Sequence, residues 1–330
     1  MDGVKVDAAA DTSEALLKRA GAEGVPALYR DYNDLINKAE VDAFIIALPN
    51  HLHYRAVKLA AEAGKHVLVE KPLANSSREC EELLEISRKS GIVLMVAHNY
   101  RFIRSVQKIK EVYDRGHIGE AEAATLELVI NGPFAPSFEP VPVPEWYFDP
   151  SRTGMGCLDS GYHLIDLFNW FFGECDVCYA KLGHRYNLPY EDSAILIVKA
   201  KHGPTKGIIN VGWYSRMIFP RFNFRVILHG TEGYLSTDSY SPRNFYAHAA
   251  KEMAKNSLRR MLGLRIRPLT YTYYYESYFR ELELFLDSVR KGSQPPVTAE
   301  DAVHVLKTIE QAYEISNSRE ELSNSSKGIC

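Results

Sequence analysis

Asp159, His163 and Asp166 are spaced four and seven residues apart. With about 3.6 residues per turn, an α-helix stacks all three on one narrow face. The neighbouring positions Leu158, Leu164, Ile165, Leu167, Phe168, Phe171 and Phe172 are apolar nearly all round, the mark of a buried helix. Carboxylates and imidazoles in such a setting need partners, so the stripe either borders a polar cavity or closes into an internal pair. His163, with an unperturbed pKa of about 6.5, is suited to trade protons at neutral pH. Asp159 would fix its tautomer and stabilise the imidazolium, or contact a substrate hydroxyl. The plainer alternative makes Asp159 a helix N-cap and His163 a satisfied core histidine. Asp166 reads as a group that orients the helix or His163. A zinc ion on the Asp/His pair is not expected, because no third ligand stands at a telling spacing.

Lys71 is the other chemically suggestive group. It ends an apolar run and precedes Pro72, so a stiff backbone leaves its ammonium little freedom to swing away. It either works in a site or forms a solvated pair with Glu70.

These groups need elements to hold them. The apolar runs at 4–10, 41–48, 66–69 and 92–97 read as strands, the second near-continuous as in strands buried on both faces. Between them lie helices, two opened by Asp11-Thr12-Ser13-Glu14 and Ser76-Ser77-Arg78-Glu79 at capping-box spacing. Gly64 and Gly91 mark helix ends. Short strand–helix–strand links imply a parallel, doubly wound sheet whose ligands lie beyond the carboxyl ends of its strands. Polar residues gather at those ends: Pro49 and Asn50 to His53, Glu70-Lys71, and His98 to Arg101 with Asn99 between.

One unit of that sheet is missing. A complete dinucleotide-binding domain opens with a strand, a G-x-G-x-x-G turn and a helix, and the chain contains no G-x-G-x-x-G. Asp11 stands where the ribose-binding acid is expected at the end of the next strand; it is equally read as a helix N-cap, and the two roles are compatible. In the strand order 3-2-1-4-5-6 the absent strand is central, and its loss leaves two strands without a shared partner. The sequence therefore reads as truncated at its N-terminus, by a misplaced gene start or a real deletion.

The segment AGKHVLVEKPLA at 63–74 closely resembles the AGKHVxxEKPxA motif of the Gfo/Idh/MocA oxidoreductases. Pro49-Asn50 with His53, the run His98-Asn99-Tyr100-Arg101-Phe102, and GMGCLDSGYHLIDLFNWFFGE at 154–174 resemble further segments of that family, in the family's order. The resemblance implies a Rossmann-type domain over 1–119, its first βα unit missing, and a substrate and oligomerisation domain over 120–330. It also implies a cofactor, NAD or NADP, with Asp11 arguing for NAD. Asp11, Pro49, Asn50, His53, Glu70, Lys71, Asn99 and Arg101 would form its binding set. Lys71 would sit beside the nicotinamide and hydrogen-bond the substrate hydroxyl, favouring the alkoxide that forms as hydride leaves. Asp159 and His163 would reach the substrate. The expected reaction is hydride transfer between a nicotinamide and a sugar or cyclitol carbinol carbon. A non-catalytic sensor or scaffold that lost cofactor binding, and an NAD-using glycoside hydrolase, are the alternatives.

Composition bounds the rest. The 330 residues carry 46% hydrophobic and 25% charged residues and a net charge of −3, which fits a soluble two-domain protein and gives no bulk attraction to nucleic acid. No apolar run reaches the roughly 18 residues of a membrane span. The chain start has no signal-peptide pattern, and five scattered cysteines suit a reducing cytoplasm. Beyond residue 121, runs at 123–130, 192–200, 207–213 and 222–229 predict a large, mostly antiparallel sheet. The Asp159 helix covers one face, and the other is an association surface for a second copy. Trp146 and Tyr147 either shape the substrate pocket or pack. The basic stretch with Lys251, Lys255, Arg259, Arg260, Arg265 and Arg267 reads as a surface insertion more readily than a membrane or phosphate contact. Tyrosines at 271–278 line either the site mouth or a subunit contact. Helices are predicted at 277–290 and 299–316, with a frayed polar tail from Asn317.

Overall fold

The computed structural model describes residues 3–134, 145–216, 222–242, 244–264 and 276–327. Contacts divide the chain into two units, Met1–Ala97 with Glu283–Val303 and His98–Leu282 with His304–Cys330. The boundary expected at 119/120 thus falls directly after the last strand of the first unit. Two helical segments near the C-terminus also return to that unit.

The first unit alternates β1 (Ala8–Ala10), α1 (Glu14–Ala22), β2 (Ala27–Tyr29), α2 (Tyr32–Lys38), β3 (Ala43–Ile46), α3 (Asn50–Glu62), β4 (His66–Glu70), α4 (Ser77–Ser90) and β5 (Leu94–Ala97). All its strand pairs are parallel, with right-handed helical crossovers the rule for such links. β1 pairs only with β2, and β3, β4 and β5 form a separate sheet with β4 at its centre. No ladder joins the two sheets among the described residues, which is the split left when the central strand of order 3-2-1-4-5-6 is taken out. Phe44 and Ile46 on β3 are buried while Ile45 is 62% exposed.

Local signals behave unevenly. Ser76 caps α4 by accepting from the Glu79 amide, and Gly91 closes it at φ 66°. At α1 the cap is Ser13, not Asp11, whose carboxylate instead accepts from the Ser13 amide at 2.7 Å. The ladder holds only Ala8–Ala10 of the expected run at 4–10, and β2 and α2 escape a reading based on long apolar runs because both are short.

In the second unit, α5 (Arg104–Asp114), β6 (Ala121–Ile130), the one-turn α6 (Pro150–Thr153) and α7 (Leu158–Phe172) precede β7 (Cys175–Gly183), β8 (Ser193–Ala200), β9 (Lys206–Trp213), β10 (Phe222–Gly230) and β11 (Tyr234–Ser236). The six strands run in the order β11-β10-β6-β9-β8-β7, every neighbouring pair antiparallel except β6 and β9. β7 has no counterpart among the predicted strands, because a bulge between Val177 and Tyr179 breaks its alternation.

α7 lies against β6 to β9. It comes close because glycines face it: a Cβ at Gly207 on β9 would meet the Phe168 ring at 2.5 Å, and one at Gly161 on α7 would meet Val211 at 3.1 Å. On the opposite face Ile195, Ile197 and Ile208 are 48%, 40% and 47% exposed.

α8 (Phe245–Met261) carries Lys251, Lys255, Arg259 and Arg260, with Met253, Leu258 and Met261 exposed beside them. Arg265, Arg267 and the tyrosines before Glu276 lie outside the described residues. α9 (Glu276–Lys291) and α10 (Ala299–Lys327) close the chain. The tail from Asn317 is therefore not frayed coil but the continuation of α10 to Lys327. No helix among the described residues is long and apolar enough to cross a membrane.

Candidate active site

The stripe on α7 exists and divides in two. Asp159 and His163 are each 9% exposed, whereas Asp166 is fully buried. The Asp166 carboxylate is expected on His163 or on its own helix, and the fold gives it elsewhere. Arg101 donates from Nε to Oδ2 at 2.9 Å and from Nη2 to Oδ1 at 2.6 Å, and His98 Nδ1 meets Oδ1 as well. Burial alone would push the Asp166 carboxyl up. The Arg101 guanidinium and His98 outweigh it and hold the group well below the usual carboxylate range.

Both partners come from the turn that directly follows β5. Its next residue, Tyr100, stacks face to face on the His163 ring, centroids 4.1 Å apart and planes 8° from parallel, and sets its own edge against Phe224 at 4.9 Å. His98 in turn meets Tyr162 edge-on at 5.1 Å. The run His98 to Arg101 thus grips α7 at successive turns. Arg101 and Asn99 are expected at the cofactor. The guanidinium of Arg101, 3% exposed and doubly bonded to one carboxylate, serves the helix instead, and Asn99 donates to the Ser277 hydroxyl at 3.3 Å.

In the first unit the polar residues do fall at strand ends. Lys71, half-buried, follows β4 directly; Pro49 and the buried Asn50 open α3; Glu70 is the last residue of β4. His53 behaves otherwise than expected of a cofactor ligand. It is fully buried, with Nδ1 2.6 Å from the Pro72 carbonyl oxygen and Nε2 2.7 Å from that of Leu48. Both ring nitrogens are therefore spent on backbone, tying the residue after Lys71 to the end of the β3 segment. A neutral ring can donate to only one of these oxygens, an imidazolium to both.

Around α7 stand residues that spacing did not reveal. Trp213, fully buried at the end of β9, donates from Nε1 to the Ser160 hydroxyl at 3.0 Å. The Tyr190 hydroxyl donates to the Tyr147 carbonyl at 2.8 Å. Tyr147 packs 5.8 Å from Trp213, and burial followed by the nearby Asp159 charge pushes its phenol well up. Tyr147 thus packs and also stands within the field of Asp159, while Trp146 sits 5.6 Å from it. The paired acids Glu191-Asp192 just ahead of an apolar strand were the one available signal for a buried anchor on this side.

Two family models match the chain. One, described as an oxidoreductase family with an NAD-binding Rossmann fold, covers residues 1–98; the other, the C-terminal alpha/beta domain of that family, covers 110–323. Among curated proteins, myo-inositol 2-dehydrogenase of Thermotoga maritima is 26% identical over 288 residues, 84% of this chain and 78% of that protein. D-xylose 1-dehydrogenase (NADP(+)) 2 of Haloferax volcanii is 28% identical over 292 residues, 88% of this chain and 83% of the relative. A crystal structure of scyllo-inositol dehydrogenase from Lactobacillus casei with NAD(H) and scyllo-inositol superposes with a TM-score of 0.73 at 20% identity, over 96% of this chain and 90% of that one. That likeness concerns the fold.

The described residues fit a dinucleotide at its ends and not at its middle. The Asp11 carboxylate, fixed at the end of β1 by the Ser13 amide, suits a ribose diol, and Asn50 and Lys71 suit the opposite end. Between β1 and β3 no strand and glycine turn opens a helix onto a diphosphate among the described residues.

The Asp166 cluster makes a stability prediction. Asp166→Asn leaves a buried guanidinium short of its counter-charge and should cost about 3–5 kcal/mol in urea unfolding. Because the folded carboxyl titrates below its ordinary value, its stabilising contribution is complete above about pH 4 and fades as pH falls below that. Wild type should therefore lose stability more steeply than Asp166→Asn on acidification through this range. Equal slopes would mean that the buried carboxyl is not ionised.

Proposed function

The chain belongs to the Gfo/Idh/MocA family of oxidoreductases, and from that premise we propose that it oxidises a sugar or cyclitol secondary alcohol, or reduces the matching ketone. A bound NAD or NADP supplies the hydride acceptor or donor. The observation that carries the reading is the α7 face itself: an acid and an imidazole one turn apart, both at the margin of an otherwise buried helix.

His163 takes the hydroxyl proton as the carbinol becomes a carbonyl. Its Nδ1 is enclosed by protein, so Nε2 is the nitrogen that exchanges with substrate, and Tyr100 fixes the ring plane. Asp159 stabilises the imidazolium or orients the alcohol. The Lys71 ammonium, at a corner held by His53, favours the developing alkoxide. Asp11 binds the ribose hydroxyls and favours NAD over the 2′-phosphorylated cofactor, which would place a second anion beside it. The named relatives are dehydrogenases, which favours this reading over the sensor and the glycoside-hydrolase alternatives. The uncovered sheet face, with Ile195, Ile197 and Ile208 exposed, is proposed as the contact with a second copy of the chain, since apolar area of this kind marks association surfaces.

With myo-inositol, scyllo-inositol and D-xylose as substrates and either cofactor, Lys71→Met and His163→Ala should each lower kcat by about a hundredfold to ten-thousandfold while the unfolding midpoint stays near wild type. Asp11→Ala should weaken NAD more than NADP in the same assays. Near-wild-type turnover in either of the first two variants would remove that residue from the mechanism. For the sheet, Ile197→Lys with Ile208→Lys should lower the mass measured by light scattering to that of one chain; an unchanged larger mass would place the contact elsewhere, and a monomeric wild type would remove it.

A further inference from the structure

The first turn of α7 leaves backbone amides without intrahelical partners, as every helix does. Its N-cap position, Cys157, contributes no capping side chain. The Asp159 and Ser160 amides close locally on the Gly156 and Cys157 carbonyls, each at 3.0 Å, and one residue from a distant part of the chain takes the amides just before them. The Glu191 side chain accepts from the amides of Gly156 and Leu158, each at 3.0 Å and both on Oε1, and its carbonyl oxygen accepts from the amide of Cys157 at 2.9 Å. Three successive donors end on a single residue.

The fit is close. A Cβ at Gly156 would lie 2.2 Å from the Glu191 carbonyl oxygen and 2.9 Å from its carboxyl carbon, so only glycine admits this approach. Glu191 is 2% exposed, and the Tyr313 phenol of α10 stands close enough to its carboxyl to lower it. Burial raises the Glu191 carboxyl, and the Leu158 amide, the Tyr313 phenol and the Gly156 amide work against that rise. Asp192, next in the chain, is pinned in turn. Its carboxylate accepts from the amides of Arg185 and Tyr186, and its carbonyl accepts from the Trp213 amide at 2.8 Å. The anchor itself is therefore rigid.

We propose that Glu191 is a positioning residue for the acid–base pair: it fixes the first turn of α7 and so the placement of Asp159, the residue after Leu158, and of His163 one turn on. This rests on the reading of Asp159 and His163 given above. A shift of the order of 1 Å at reacting groups is enough to cost about a hundredfold in rate. The carboxylate's negative charge at a helix N-terminus is favourable as well, but the amide acceptors are what set position.

Two variants separate these contributions. Glu191→Gln keeps a side-chain oxygen for both amides; Glu191→Ala keeps only the backbone carbonyl for Cys157. With the same polyols and cofactors, and activity expressed per folded molecule, Glu191→Ala should lower kcat by about 30–100-fold with KM within about threefold. Glu191→Gln should stay within about fivefold of wild type. Amide hydrogen exchange supplies a readout independent of turnover: in Glu191→Ala the Gly156 and Leu158 amides should exchange at least about tenfold faster than in wild type while Cys157 stays protected. Wild-type kcat in folded Glu191→Ala, Glu191→Gln as damaging as Glu191→Ala, or unchanged exchange at the two amides would each overturn the proposal. Should Glu191→Ala fail to fold, Glu191→Met, which fills the same volume but offers the Gly156 and Leu158 amides no oxygen, takes its place under the same kcat and exchange criteria. Should wild type turn over none of the polyols, the proposed reaction falls and exchange alone judges Glu191.

Discussion

A carboxylate at zero exposure is expensive to keep ionised, and the second unit keeps one at the middle of its central helix. Asp166 is held there by a two-point bond from Arg101 and by His98. Desolvating such a group costs several kcal/mol, which attraction recovers only when geometry is good and every lone pair is used. An apolar trio of similar volume could be as stable. What the ionic cluster adds is direction: its bonds are satisfied at one rotation and one height of α7. The rotation that satisfies Asp166 also sends Asp159 and His163 to the margin of the core.

The remaining contacts refine that placement. Gly161 and Gly207 let the helix approach the sheet closely, Trp213 donates to Ser160, and Tyr100 stacks on His163. The N-terminal turn is tied by Glu191. A helix buried on nearly every side has few local signals to fix its register, so polar anchors at its start and its middle carry that information.

Much of this was legible in residue pattern. The i, i+4, i+7 spacing located the stripe, the near-continuous apolar run ending in Pro49 located β3, and Ser76 with Gly91 bounded α4. The absence of a glycine turn anticipated a sheet split between β1 and β3. What pattern could not give was partnership. Nothing in the spacing of His98, Arg101 and Asp166 says that residues 65 apart share a bond, so the pattern points Arg101 to a cofactor and is silent on its two bonds to Asp166. His53 misled for the same reason: a histidine near a strand end looks like a ligand until both nitrogens are seen on carbonyls. Short elements such as β2 and α2, and the bulged β7, were lost because alternation over three residues, or alternation interrupted, carries too little signal.

If the Asp166 cluster is what seats α7, Arg101 and Asp166 must be energetically coupled. A double-mutant cycle with Arg101→Met, Asp166→Asn and the pair, read by urea unfolding at neutral pH, measures this directly. The account predicts a coupling of about 2–3 kcal/mol, the double variant being far less damaged than the sum of the singles. Additivity within about 0.5 kcal/mol would contradict it and leave the position of α7 to its other contacts.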